Sequence, residues 1–85
     1  MSQKLEASFS TLILSIGSSA AIAMGLAPDP NTGKTHSDKD VAKFNIDMLM
    51  ILEEKTKNNL NEEERQFLSR IITDLQIKFV ELNKK

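Results

Sequence analysis

From Ala7 to Pro28 the chain runs without a single charged residue. A stretch of that length must be buried in protein or in lipid, so it decides what kind of fold is possible. Leu5, Phe9, Leu12, Ile13, Ile16, Ala20, Ala23 and Met24 recur along it at spacings of three and four, the period of a helix with one apolar face. Its other residues argue against lipid. Ser8, Ser10, Thr11, Ser15, Ser18 and Ser19 carry hydroxyls, and Gly and Ala lower the hydropathy further. No Trp or Tyr marks an interface, and no basic cluster flanks either end. A cleavable leader with Lys4 as its basic start is a competing reading, but Glu6 sits at its edge. A buried helix over residues 5–26 is the expectation, with Pro28 as the stop.

The remaining chain divides into a loop and two more helical segments. Pro28, Asp29, Pro30, Asn31, Thr32 and Gly33 combine two stiff prolines with a turn. Ser37 with Asp40 resembles a capping box, which opens a second helix at about residue 38. That helix runs to about residue 58, where Lys55 and Lys57 suit the negative end of the helix dipole and Asn58-Asn59 supplies a turn. Asn61 followed by Glu62, Glu63 and Glu64 is an N-cap with Glu at the third helical position. Phe67, Leu68, Ile71, Ile72, Leu75, Phe79 and Leu82 then form one stripe over residues 62–82. The expected fold is all-α: a single domain over 1–85 with three helices, the second and third forming an antiparallel hairpin.

Three segments resemble a known family. Phe9 with the run Leu12 to Ala23 is similar to its opening helix. Leu26-Ala27-Pro28-Asp29-Pro30-Asn31-Thr32-Gly33 is similar to its proline-rich loop. Ile46-Asp47-Met48-Leu49-Met50-Ile51-Leu52-Glu53-Glu54-Lys55-Thr56-Lys57-Asn58-Asn59-Leu60-Asn61-Glu62-Glu63-Glu64 resembles its most specific stretch. The family is the bacterial domain of unknown function 1844. Asn58 stands where that family usually has Gly, and Asn61 where it usually has Thr; both preserve the turn and cap chemistry. The resemblance implies a small bacterial, cytoplasmic helical protein and implies no activity.

The residue types exclude much chemistry. The 85 residues contain no Cys, Tyr or Trp and a single His, so thiol nucleophiles, disulfides and thiolate metal sites are absent. Gly33-Lys34-Thr35 lacks the upstream Gly and the preceding strand of a phosphate loop. Lys55-Thr56-Lys57 lies at a helix C-terminus, whose dipole repels anions. His36 sits on a loop without a second His, and Asp47 falls on the polar strip with Lys43 and Glu54. The 11 basic and 12 acidic residues, net charge −1, intersperse along the chain and form no basic stripe. No enzyme, cofactor or metal site is expected.

What the pattern does contain is excess apolar surface. The first helix carries a second line, Ser10, Leu14, Gly17, Ala21 and Gly25, beside its main face, and small residues four apart let a neighbouring backbone approach. On the second helix Val41, Phe44, Met48, Ile51 and Leu52 cover one side, and Ile46 and Met50 another. Two partner helices cannot cover all of this, and soluble monomers rarely expose large apolar patches. The expectation is a homo-oligomeric helical bundle, most simply a two-fold dimer, with Phe9, Ser10, Leu14, Gly17, Ala21, Gly25, Ile46 and Met50 at the interface. Its role is expected to be structural or interactive, as a scaffold or adaptor, with an unidentified protein as a further partner. A membrane-associated protein using helix 5–26 and a nucleic-acid-binding oligomer are the alternatives.

Overall fold

The computed structural model describes residues 7–84. Three helices form: α1, Phe9–Ala23; α2, Lys39–Lys55; and α3, Glu62–Asn83. Among the described residues the only strand-like pairing is an isolated antiparallel bridge between Met24 and Ser37. The expected start of the first helix at Leu5 lies outside the described residues. Within them, Ser8 is the N-cap, its hydroxyl accepting from the Thr11 N–H at 3.1 Å.

The first helix stops earlier than residue 26, and Gly25 rather than Pro28 stops it. Gly25 has φ +78°. Its N–H donates to the Ile22 carbonyl at 3.0 Å, and the Leu26 N–H reaches back to the Ala21 carbonyl at 3.0 Å. This pair of bonds is the Schellman termination, which requires a left-handed residue just past the helix and therefore favours glycine. A side chain at Gly25 is also opposed by the His36 carbonyl, 3.3 Å from where a Cβ would sit.

Ser37 does not cap α2. Asp38 does, its carboxylate accepting from the Val41 N–H at 3.2 Å, while the Ser37 hydroxyl turns to the Met24 carbonyl. The Asp38 N–H donates to the Ala23 carbonyl at 2.7 Å, so the loop is pinned where it leaves α1 and where it enters α2. α2 ends at Lys55, short of residue 58, because Thr56 closes the last turn and Asn58 takes φ +71°. The α3 cap forms in full. Asn61 accepts from the Glu64 N–H at 2.8 Å, and Glu64 accepts from the Asn61 N–H at 3.0 Å.

All three helices contribute to one core. Ile13, Ala20 and Ala23 come from α1, Ala42, Ile46 and Leu49 from α2, and Leu68, Ile72 and Leu75 from α3, with Met24 at the end of the first helix. Ala20 and Ala42 are fully buried, and such small side chains keep the α1 and α2 axes close. Asn45 is the one buried polar side chain among the described residues, and its amide donates to the Val41 carbonyl at 2.9 Å.

The molecule is a plate. Its Cα atoms span 38 × 37 × 15 Å, with a radius of gyration of 13.7 Å. A compact domain of this length has a radius near 12 Å, and a bundle of three aligned helices is long in one direction only. The helices are splayed within a thin slab, which leaves broad faces to solvent.

Candidate interaction surface

α2 has two apolar faces, and the plate covers only one. Ala42, Ile46 and Leu49 turn inward. Val41, Phe44 and Ile51 remain 44%, 61% and 57% exposed, with half-buried Met48 between them. Positions 41, 44, 48 and 51 follow the alternating three- and four-residue step of a helix-packing seam. At 100° per residue they occupy one continuous strip adjoining the core face. Leu12 on α1 adds a further exposed apolar side chain, at 45%.

Charges border this strip on the side away from the core. Asp40, Asp47 and Glu54 recur seven residues apart along that edge. The Lys43 ammonium meets the Asp47 carboxylate at 2.7 Å, an exposed pair one helical turn apart. Lys55 continues the strip itself, at the C-terminal end of α2, where a cation complements the helix dipole.

The residues expected at the interface do not gather on one surface. Ile46 is 5% exposed and belongs to the chain's own core, beside Phe79 and Val80 of α3. Gly17 faces α3, with the Ile71 Cγ2 atom 3.3 Å from where a Cβ would sit. Gly25 serves the helix stop. Ala21 is half-buried, and Phe9 packs at the edge of the core. Leu14 is exposed, as is Ser10, which lines a groove with Asn61, Glu63, Glu64, Gln66, Phe67 and Arg70. Met50 is exposed on the opposite flank of α2, with its sulfur 3.5 Å from the Gln76 amide of α3. Gly17 and Gly25 thus meet neighbours within the chain. The outer strip of α2, one of the two apolar sides read from the sequence, stays exposed.

The polar candidates resolve into local structure. Asp29 organises the loop: its carboxylate accepts from the Asn31 N–H at 2.8 Å, and its backbone N–H donates to the Lys34 carbonyl at 2.9 Å. The His36 Nε2 atom lies 3.5 Å from the Asp29 carboxylate on an exposed surface. Gly33, at φ +71°, is the tip of this loop, with open space around it and no helix starting at Lys34. Lys57 lines a groove of about 660 Å³ together with Met50, Leu60, Leu68 and Arg65, but Glu53 and Glu54 share it and offset its cations. At the start of α3, the Arg65 guanidinium hydrogen-bonds Glu62 and holds its carboxyl below the usual carboxylate range, with the Gln66 amide assisting. Among the described residues no group of three His, Asp or Glu side chains converges as metal ligands do. No described helix is long and apolar enough to cross a membrane.

The family model for a domain of unknown function, DUF1844, matches residues 6–81. The chain belongs to the DUF1844 family. That match spans all of α1 and α2, both connections and α3 as far as Glu81, so the outer strip of α2 lies within the DUF1844 domain. No curated protein and no solved structure matches this DUF1844 chain.

Proposed function

We propose that this DUF1844 protein is a cytoplasmic homo-oligomeric structural or interaction protein, a scaffold or adaptor without catalytic activity of its own. In this reading α2 and α3 form an antiparallel hairpin within a larger helical bundle. The Met50–Gln76 contact supports that hairpin, as does the groove that joins Lys43, Ile46 and Asp47 to Phe79 and Val80. Residues late in α3 lie beside early ones in α2, as antiparallel neighbours must.

Surface area carries the oligomeric part. The chain exposes 6413 Å². A compact monomer of 9.5 kDa exposes about 5,000 Å² by the usual mass scaling. The exposed outer strip of α2 contributes to that difference, and a standard stable interface covers about 800 Å² on each partner. Light scattering on a sizing column tests this with the whole chain. A mass of twice 9.5 kDa or more at micromolar concentration is expected. A folded monomer at that concentration contradicts it.

A further inference from the structure

We infer that the outer strip of α2 is the self-docking seam, and that two copies meet there with their α2 helices antiparallel about a two-fold axis. The inference rests on the homo-oligomeric reading and specifies its geometry.

The strip is self-complementary in that orientation. When Val41 lies opposite Ile51 of a second copy, Phe44 falls opposite Met48, and the same register repeats across the axis because both pairs centre on position 46. Antiparallel helical seams layer their side chains in this way, each three-step position facing a four-step one. A large side chain then meets a flexible one, and a β-branched pair closes each end. A two-fold interface is the commonest way for a single surface to cover itself.

The charges at the helix ends favour this orientation. Lys55 continues the strip, and the same register sets it opposite position 37 of the second copy, within one turn of the Asp38 cap and Asp40. The negative end of one helix dipole and its lysine thus meet the positive end and acids of the other. A parallel arrangement stacks Lys55 on Lys55. The two-fold also sets the row Asp40, Asp47 and Glu54 beside the same row of the second copy along one solvent-exposed rim, where Lys43 offsets Asp47 and added salt is expected to strengthen association. The other rim brings the two α1 helices alongside, where Ser19, Ile22 and Ala23 of α1 border Val41.

Wild-type mass tests the homo-oligomeric reading, and two variant sets test the seam. Phe44→Glu, at a position 61% exposed and outside the core, leaves the helical circular dichroism unchanged. It is expected to weaken association at least about thirtyfold, the effect of losing a central aromatic anchor. Ile77→Glu, an exposed apolar position on α3 away from the strip, is expected to leave the mass unchanged. The absence of native cysteine makes introduced thiols specific. Mixed Val41→Cys and Ile51→Cys chains are expected to form a covalent dimer at least about ten times faster than either variant alone. Like positions lie about 15 Å apart in this register, beyond disulfide reach. An oligomer that survives Phe44→Glu, or either single variant linking to itself as fast as the mixture, overturns the seam and leaves the homo-oligomeric reading standing. A wild-type monomer overturns both, and one that associates only with a basic amphipathic helical peptide assigns the strip to such a partner instead.

Discussion

The inner and outer faces of α2 are built from similar residues and meet opposite fates. Inside are Ala42, Ile46 and Leu49; outside are Val41, Phe44, Met48 and Ile51. The outer set is the bulkier, and hydrophobicity alone assigns it to the core. Fit decides otherwise. Ala42 beside Asn45, whose amide is satisfied within its own helix, makes a shallow face that joins Ala20 and Ala23 of α1 in one core. A row led by Phe44 holds a neighbour further off and suits a contact made after folding. The fold thus takes the shallower face and leaves the larger one exposed.

The most severe way to break this comparison is to hollow the inner face. Leu49 is fully buried, and Leu49→Ala is expected to cost about 2–5 kcal/mol of stability at any protein concentration. Ile51→Ala, two residues away on the outer face, is expected to leave the dilute chain's stability within about 0.5 kcal/mol. Urea denaturation of both variants checks the contrast, and equal losses contradict the assignment of faces.

The next largest effect concerns Gly17. A leucine there drives into Ile71 and is expected to cost about 1–3 kcal/mol by overpacking the contact between α1 and α3. The loss appears in the thermal midpoint even at the lowest concentrations measured, so Gly17 supports the fold before any assembly.

A smaller effect sharpens the picture at α3. Asn61→Ala is expected to cost about 1 kcal/mol, the usual loss for an N-cap. Glu64→Ala is expected to cost less, and the double variant less than the sum, because the two residues complete one reciprocal box. Denaturation midpoints of the three variants measure this coupling; strict additivity contradicts it.

The smallest effect is electrostatic. The Glu62 carboxyl is held below its ordinary range by Arg65 and then Gln66. A depressed folded-state value adds stability that is present above the unfolded-state value and fades as pH falls through the folded-state one. Glu62→Gln is therefore expected to be slightly less stable than the wild type at neutral pH, with the gap closing in acid. Paired denaturation curves at neutral pH and near pH 3 read the trend, and a gap that widens in acid contradicts it.

These contrasts explain what the sequence made legible. The α3 cap and stripe were readable because each is local: Asn61 and Glu64 lie one turn apart, and the apolar residues share a single face. The turn at Asn58 was readable for the same reason, since asparagine tolerates the left-handed region it occupies. The end of α1 was misplaced because Pro28 is the more conspicuous breaker, although the Gly25 stop is as local, its bonds reaching back only to Ala21 and Ile22. Ser37 was misread as a cap for a different reason: its hydroxyl is drawn to Met24, thirteen residues away. The two faces of α2 could not be ranked, because periodicity reports that a face is apolar and says nothing of which neighbour arrives. Gly17 meets an α3 side chain and Gly25 the backbone at His36, contacts that spacing along α1 cannot name.

The central claim is that the inner face of α2 holds the chain together and the outer face holds two chains together. Thermal unfolding of the wild type and of Phe44→Glu, followed by circular dichroism from about 1 to about 100 µM, tests it most directly, because an associated native state gains stability with concentration by mass action. The wild-type midpoint is expected to rise steadily over that range, while that of Phe44→Glu stays flat and meets the wild-type value only at the dilute end. A wild-type midpoint independent of concentration, or a variant midpoint that climbs in parallel with it, contradicts the account.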